Sequence, residues 1–349
     1  MDDAFDVDRP WQGDNQDWWD WYVTLAHDPG AARPSKPVYA ATPDAPPSTD
    51  DELKAELRRP YPLAQADRDA FAANGYVKLP DVLSPCAVAR LRLELATLLA
   101  EAFPSGSGQK FLSLELVWLV NAAIRKFVLS PRIAKICAEL LGVESVRLYH
   151  DNVLSKEPGC GRTPWHFDDH HFPLATNNVV TAWAPAQAIP MEMGPLAFAS
   201  PITAHRLVDD VPFNTQDASY DRRVGEIFAQ HDVAVDETPF ALGEVSFHHN
   251  LSFHMANANR TGTSRIVLAN TYFADGARIV DSPTMVSGDW RKFVPGAEPG
   301  QPAASRLNPV CWPATEDFDD GHRRGEPAPL ERGLAHRDGG LLRPRPCGL

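Results

Sequence analysis

Cysteine is scarce in this chain: Cys86, Cys137, Cys160, Cys311 and Cys347 are the five, and none forms a CxxC pair. An odd, scattered set of this kind reads as free thiols in a reducing cytoplasm. No apolar run is long enough for a membrane-spanning helix. The acidic start, Met1-Asp2-Asp3, lacks the basic, apolar character of an export signal. Basic stripes are missing as well. Thirty-three Lys and Arg stand against 46 Asp and Glu, for a formal charge of −13, which argues against nucleic acid as a partner. An anionic small molecule remains possible, because a local pocket can be positive on an acidic protein. There is no internal repeat, no dinucleotide glycine fingerprint and no P-loop.

What is present suffices for a sizeable core: 44% of the 349 residues are hydrophobic. Composition divides the chain into an N-terminal extension and linker (1–60), a main domain (61–294) and a Pro-, Gly- and Arg-rich tail (295–349). In the extension, residues 14–26 suit a short helix with Trp18, Trp21, Tyr22 and Leu25 on one face, packing on the domain surface. Residues 29–47 read as a Pro- and Ala-rich linker. Helical signals follow over 67–74, which stops at Gly75, from the Ser84-Pro85 N-cap onward, over 115–128, and over 131–141. The period then changes. Residues 145–154, 179–184, 196–199, 240–247 and 265–273 are short, β-branched or aromatic runs bounded by turn residues. Helices followed by short strands predict a mainly β domain with a helical layer on a sandwich or barrel. Residues 205–239 read as a loop, and the chain from 321 onward as disordered.

The chemistry concentrates in residues 163–172, TPWHFDDHHF. If this stretch is extended, His166 and Asp168 share one strand face and converge. An imidazole nitrogen and a carboxylate oxygen suit a divalent metal such as Fe(II), with His254 the best third ligand. Such a set leaves positions open for a chelating co-substrate and O2. Arg265 could clamp a carboxylate through two parallel hydrogen bonds. Thr181 and Trp183 alternate on one strand and share a face. His170 and His171 are alternatives for a neighbouring role, facing substrate or simply solvent. His248 and His249 compete with His254 as ligand, while His150 and His205 read as structural or loop residues.

In this order, His166-x-Asp168, His254 and Arg265 resemble the phytanoyl-CoA dioxygenase family of Fe(II)/2-oxoglutarate-dependent oxygenases. Pro164-Trp165, Met193-Gly194-Pro195-Leu196, Gly243-Glu244-Val245 and the opening Phe71-Ala72-Ala73-Asn74-Gly75-Tyr76-Val77 add to the likeness, which runs from about 67 to 273. The resemblance implies a double-stranded β-helix, a jelly-roll or cupin-like fold, with the metal at its open mouth. It favours His254 over His249 as the distal ligand, puts Trp183 beside 2-oxoglutarate, and matches Asn152 and Lys156 to positions flanking that co-substrate. For Thr181, Trp183, Asn152 and Lys156, core packing or a solvated edge is the competing role. Without a nucleotide site, the electrons for oxygen activation need another source. The family's source is 2-oxoglutarate, decarboxylated to succinate and carbon dioxide. Related iron halogenases lack the carboxylate ligand, so Asp168 favours hydroxylation of a small metabolite, such as a natural-product intermediate. Desaturation, epoxidation or ring closure, a cupin-like metal enzyme without oxygen chemistry, and a silent binding protein are the alternatives. Expected partners are a small-molecule substrate, without nucleic acid or membrane, in a monomer or homodimer.

Overall fold

A computed structural model describes residues 44–103, 110–212, 217–283 and 290–314. The Trp-rich segment, most of the linker and the tail from 321 lie outside the described residues. No described helix is long and apolar enough to cross a membrane.

Helices come first. α1 (Asp50–Arg58) begins with a capping box in which the Thr49 hydroxyl and the Glu52 side chain satisfy each other's backbone N–H groups. Its Leu53 and Leu57 are fully buried, so this helix is part of the main core although composition sets residues 1–60 apart. α2 (Gln65–Asn74) ends at Gly75, whose φ of +84° is a left-handed stop. After β1 (Tyr76–Leu79), α3 (Pro85–Ala102) starts on the Ser84 hydroxyl, which accepts from Ala87 N.

The helix expected over 115–128 is broken in two. β2 (Phe111–Glu115) pairs with β3 (Val146–Lys156) through Glu115, and Leu116 turns with φ +56°. The helix starts only at α4 (Ala122–Val128), where the Asn121 side chain accepts from two backbone N–H groups. α5 (Pro131–Leu141) stops at Gly142 as expected.

The strands form two sheets. β3 (Val146–Lys156), β5 (Val179–Pro185), β8 (Val245–His249), β10 (Arg265–Ala274) and β11 (Val310–Trp312) join β1 and β2 in a seven-stranded sheet ordered β1-β8-β5-β10-β3-β11, with β2 also on β3. β4 (Thr163–His166), β6 (Leu196–Ser200), β7 (Ala234–Asp236) and β9 (His254–Ala256) make a smaller sheet ordered β4-β9-β6-β7. All the pairings are antiparallel. This is the double-stranded β-helix with a helical layer that the family resemblance implies.

Strand alternation assigns each face of the large sheet. Val153, Val180, Phe247, Leu268 and Tyr272 bury against α1–α5 in the largest core cluster. The opposite face meets the small sheet, where Trp183, Val267 and Ala269 pack on Leu196, Phe198 and Ala256. The candidate site lies on this inner side.

Residues 205–239 are not a plain loop. α6 (Ser219–Gln230) buries Tyr220, Val224, Ile227 and Phe228 against Trp165, Phe253 and Met255 on the outer face of the small sheet. Its Asp221 accepts from Trp165 N at 2.8 Å and pairs with Arg162 at 3.1 Å, so the helix clasps β4 next to the candidate ligands.

Candidate metal centre

β4 ends at His166, and this changes how the candidate pair converges. The sequence reading placed His166 and Asp168 on one extended face; Asp168 instead adopts helical dihedrals (φ −90°, ψ −8°) ahead of a 3-10 turn over Asp169–His171. The turn is held by the end of β8, because Asp168 N and Asp169 N both donate to Asn250 O, at 2.8 and 3.1 Å. The Asn250 amide in turn donates to Asp169 Oδ1 at 2.6 Å. A turn, rather than strand alternation, thus brings the carboxylate back over His166.

His254 faces His166 directly across the β4–β9 pair. Ligand atoms of His166, Asp168 and His254 all lie within 4.8 Å of one another. Asp168 Oδ1 is 3.8 Å from each of the two Nε2 atoms. His166 Nδ1 lies 2.8 Å from Pro164 O, and His254 Nδ1 lies 2.9 Å from Ser252 O. A carbonyl can only accept, so both Nδ1 atoms carry hydrogen and both Nε2 lone pairs face the centre.

Burial, helped by the neighbouring His254, holds the His166 imidazole well below its ordinary pKa. Burial likewise pushes His254 down to about 4, against the pull of Asp168. At Asp168, burial works to raise the pKa. His254, His248 and His166 together outweigh it and leave the carboxyl below the usual range. Two neutral imidazoles and one carboxylate are the protonation states that a divalent metal requires.

Arg265 opens β10 on the inner face and is 2% exposed. Its Nη1 donates to Gly194 O at 2.7 Å, while Nε is buried with no hydrogen-bond acceptor. Gly194 has φ +70°, and a Cβ there would stand 2.2 Å from Asn257 O, so only glycine fits this anchor. Burial draws the guanidinium down to about 10, still protonated at neutral pH. Among the described residues no carboxylate pairs with it. A buried cation with a spare donor and no counter-charge is a site built for an anion.

The strand register puts the other candidates on the same inner face. Trp183, Ala269 and Asn152 stand in one cross-strand row, and Lys156 is directly opposite Arg265. The Arg265 guanidinium lies over the Trp183 ring at 5.3 Å. Thr181 Oγ1 is 3.0 Å from Thr271 Oγ1. Asn152 accepts from Ser113 Oγ at 2.9 Å. The buried Lys156 ammonium donates to the carbonyls of Gly161, Ala256 and Asn257 at 2.9, 3.1 and 2.9 Å, which ties the ends of β3 and β9 together.

The remaining histidines separate clearly. His249 Nδ1 accepts from Leu251 N, and its ring meets Phe71 with centroids 6.1 Å apart. His170 packs on Phe167 at 4.8 Å, and His150 on Phe293 at 4.6 Å. His205 Nδ1 lies 2.8 Å from Ile202 O. His248 is different: it reaches Asp168 Oδ2, at 3.4 Å from Nε2. Sequence reasoning treated it only as a rival to His254. The available signal was its alternation with Ser246, which faces both side chains toward Thr181 and Trp183 across the sheet.

The profile of the Phytanoyl-CoA dioxygenase (PhyH) family matches residues 71–267, more than half of the chain. The chain belongs to this family. It is a non-haem iron, 2-oxoglutarate-dependent enzyme. Solved structures with the same fold include the non-heme alpha ketoglutarate dependent carbocyclase SnoK from nogalamycin biosynthesis. The two are 23% identical with a TM-score of 0.59, over 72% of this chain and 99% of SnoK. The epimerase SnoN from the same biosynthesis is 26% identical with a TM-score of 0.56, over 71% of this chain and 98% of SnoN. EctD from S. alaskensis is 19% identical with a TM-score of 0.55, over 78% of this chain and 93% of EctD. No curated protein sequence matches the chain. His166, Asp168 and His254 are a donor set of the kind that fits Fe(II), and the buried Arg265 guanidinium fits a carboxylate.

Proposed function

We propose that the protein hydroxylates an unactivated C–H bond of a small metabolite, a natural-product intermediate, with His166, Asp168 and His254 as the iron ligands. The observation that carries this reading is the pairing of two elements inside one fold: a buried two-histidine, one-carboxylate cluster, and a buried arginine with an unused donor. Bound iron and 2-oxoglutarate would supply the oxidising power, one oxygen atom of O2 going to succinate as carbon dioxide leaves and the other to substrate.

The chain's own residues have narrower tasks. His166 and His254 present bare Nε2 lone pairs because their Nδ1 hydrogens are engaged elsewhere. Asp168 offers Oδ1 on the same side. Arg265, held by Gly194 O and backed by Trp183, receives the far carboxylate and so orients the co-substrate. Thr181, Trp183 and Asn152 line the wall between, and Lys156, opposite Arg265, ties its edge to β9. The apolar inner face of Val267, Ala269 and Phe198 excludes water.

Epimerisation is the second reading, favoured by the shared architecture with the epimerase SnoN at 26% identity. Screening candidate metabolites for stimulated succinate release, with mass analysis of the product, tests both. A gain of one oxygen atom supports hydroxylation, whereas an unchanged mass with inverted configuration supports the second reading. Iron-loaded protein that never releases succinate with any candidate and does not bind 2-oxoglutarate would overturn both.

A further inference from the structure

Three buried histidines surround Asp168, and their hydrogen bonds divide them into two kinds. In His166 and His254 a carbonyl holds Nδ1–H, which makes Nε2 the ligating atom. His248 has no such carbonyl. Its Nδ1 is buried without a partner, and its Nε2 lies 3.4 Å from Asp168 Oδ2. Carboxylate oxygens only accept, so the tautomer that suits this contact carries the imidazole proton on Nε2, on the side of Asp168. In that tautomer His248 is a donor and cannot be a ligand through Nε2.

The two Asp168 oxygens are therefore differentiated. Oδ1 is equidistant from His166 and His254, at 3.8 Å from each Nε2, while Oδ2 is turned away to His248. We propose that His248 is a positioning residue that holds Asp168 as a one-oxygen ligand by binding its second oxygen. A carboxylate free to rotate could bring both oxygens onto the metal and occupy a position needed by co-substrate or O2. The donor that prevents this comes from the opposite sheet: β8 carries His248, while β4 and β9 carry the histidine ligands. His248 is fixed in turn, 2% exposed, with Tyr76 and Thr181 as its cross-strand neighbours and its ring 4.6 Å from that of His254. Leaving Nδ1 buried and unpartnered is unfavourable. Such a feature is retained where the other end of the ring has a task.

This rests on His166, Asp168 and His254 being the ligands, so the experiment separates the two. Co(II) is titrated into the metal-free full-length protein, with affinity read by calorimetry and coordination by the visible spectrum, before and after 2-oxoglutarate. His248→Phe should weaken Co(II) binding by about ten- to a hundredfold and change the spectrum. His248→Gln, whose amide nitrogen reaches about as far as Nε2, should recover most of the affinity and the parent spectrum. Parental affinity and spectrum in His248→Phe would overturn the proposal. So would a His248→Gln protein with normal melting that binds no better than His248→Phe, since the ring itself would then be what matters. If His248→Phe does not fold, His248→Asn, whose amide stops short of Oδ2, replaces it, and equal affinity in the Asn and Gln variants would overturn the idea. His254→Ala is the independent control. Normal Co(II) binding there would reject the ligand set, whereas its loss there with parental behaviour in His248→Phe would reject only the positioning role.

Discussion

A neutral imidazole and an ionised carboxylate are the metal-binding forms of their side chains, and burial produces the first while neighbouring histidines produce the second. His254, pushed down to about 4, stays neutral across the physiological range. Removing any one ligand should be decisive: His166→Ala, Asp168→Ala and His254→Ala are each expected to abolish 2-oxoglutarate turnover with far-ultraviolet circular dichroism intact. His249→Ala should keep turnover, because that ring faces Phe71 and the Leu251 backbone instead. Near-normal iron binding in His254→Ala would refute the assignment. At the other end of the co-substrate, Arg265→Gln removes one charge-assisted pair, worth roughly 1.5–3 kcal/mol. The 2-oxoglutarate requirement should rise about ten- to a hundredfold, and an unchanged requirement would exclude the clamp. The His-x-Asp, His and Arg pattern was visible in the sequence because each residue has a chemical reason for its type. His248 was not, because its task depends on an Asp168 oxygen brought near by sheet pairing between distant strands. Gly194 O as the anchor of Arg265 was hidden for the same reason: a backbone carbonyl has no signature in residue type.

At the level of elements, periodicity found most strands of the large sheet but misjudged the segments whose structure comes from partners. The helix expected from residue 115 starts only at Ala122, because Glu115 instead ends β2 and pairs with β3. α6 was hidden in mixed charges, although its Val224, Ile227 and Phe228 have helical spacing. The interface between the helical layer and the large sheet holds a second buried polar group, Asp151. One of its oxygens accepts from Trp118 N at 3.3 Å while the other has no partner, and the cross-strand Asn270 amide is also unpartnered. Burial pushes the Asp151 carboxyl up to about 7, more than the Trp118 backbone bond lowers it. The sign follows from proton counting. Between about pH 4, where an unfolded Asp ionises, and about 7, the folded state binds more protons than the unfolded one, so stability falls as pH rises. The penalty is absent below about pH 4 and complete above about pH 7, on the order of a few kcal/mol. Asp151→Asn should therefore melt higher than the parent at pH 8 and show a flatter profile between pH 5 and 8. Parallel profiles for the two proteins would show that Asp151 ionises normally in the fold.

On the scale of the whole molecule, the site is assembled from two sheets that meet face to face. The small sheet and the turn after β4 carry His166, Asp168 and His254, while the large sheet carries Arg265. A metal bound to the three ligands and a dicarboxylate reaching Arg265 would connect the two layers, and neither can bind the unfolded chain in that geometry. Ligands that bind only the folded state stabilise it by about 2.7 kcal/mol at a hundredfold excess over Kd. For a chain of 349 residues each kcal/mol corresponds to roughly 1–2 °C in Tm. Mn(II) alone should raise Tm in the parent, and Mn(II) with 2-oxoglutarate should raise it further. In Arg265→Gln the Mn(II) increment should persist while most of the second increment disappears. In Asp168→Ala both should vanish, because the dicarboxylate then lacks the ion it chelates. Measuring Tm for the three proteins with no ligand, with Mn(II), and with Mn(II) plus 2-oxoglutarate checks this without any substrate. A second increment of full size in Arg265→Gln would mean that 2-oxoglutarate is held at the metal without a bridge between the sheets.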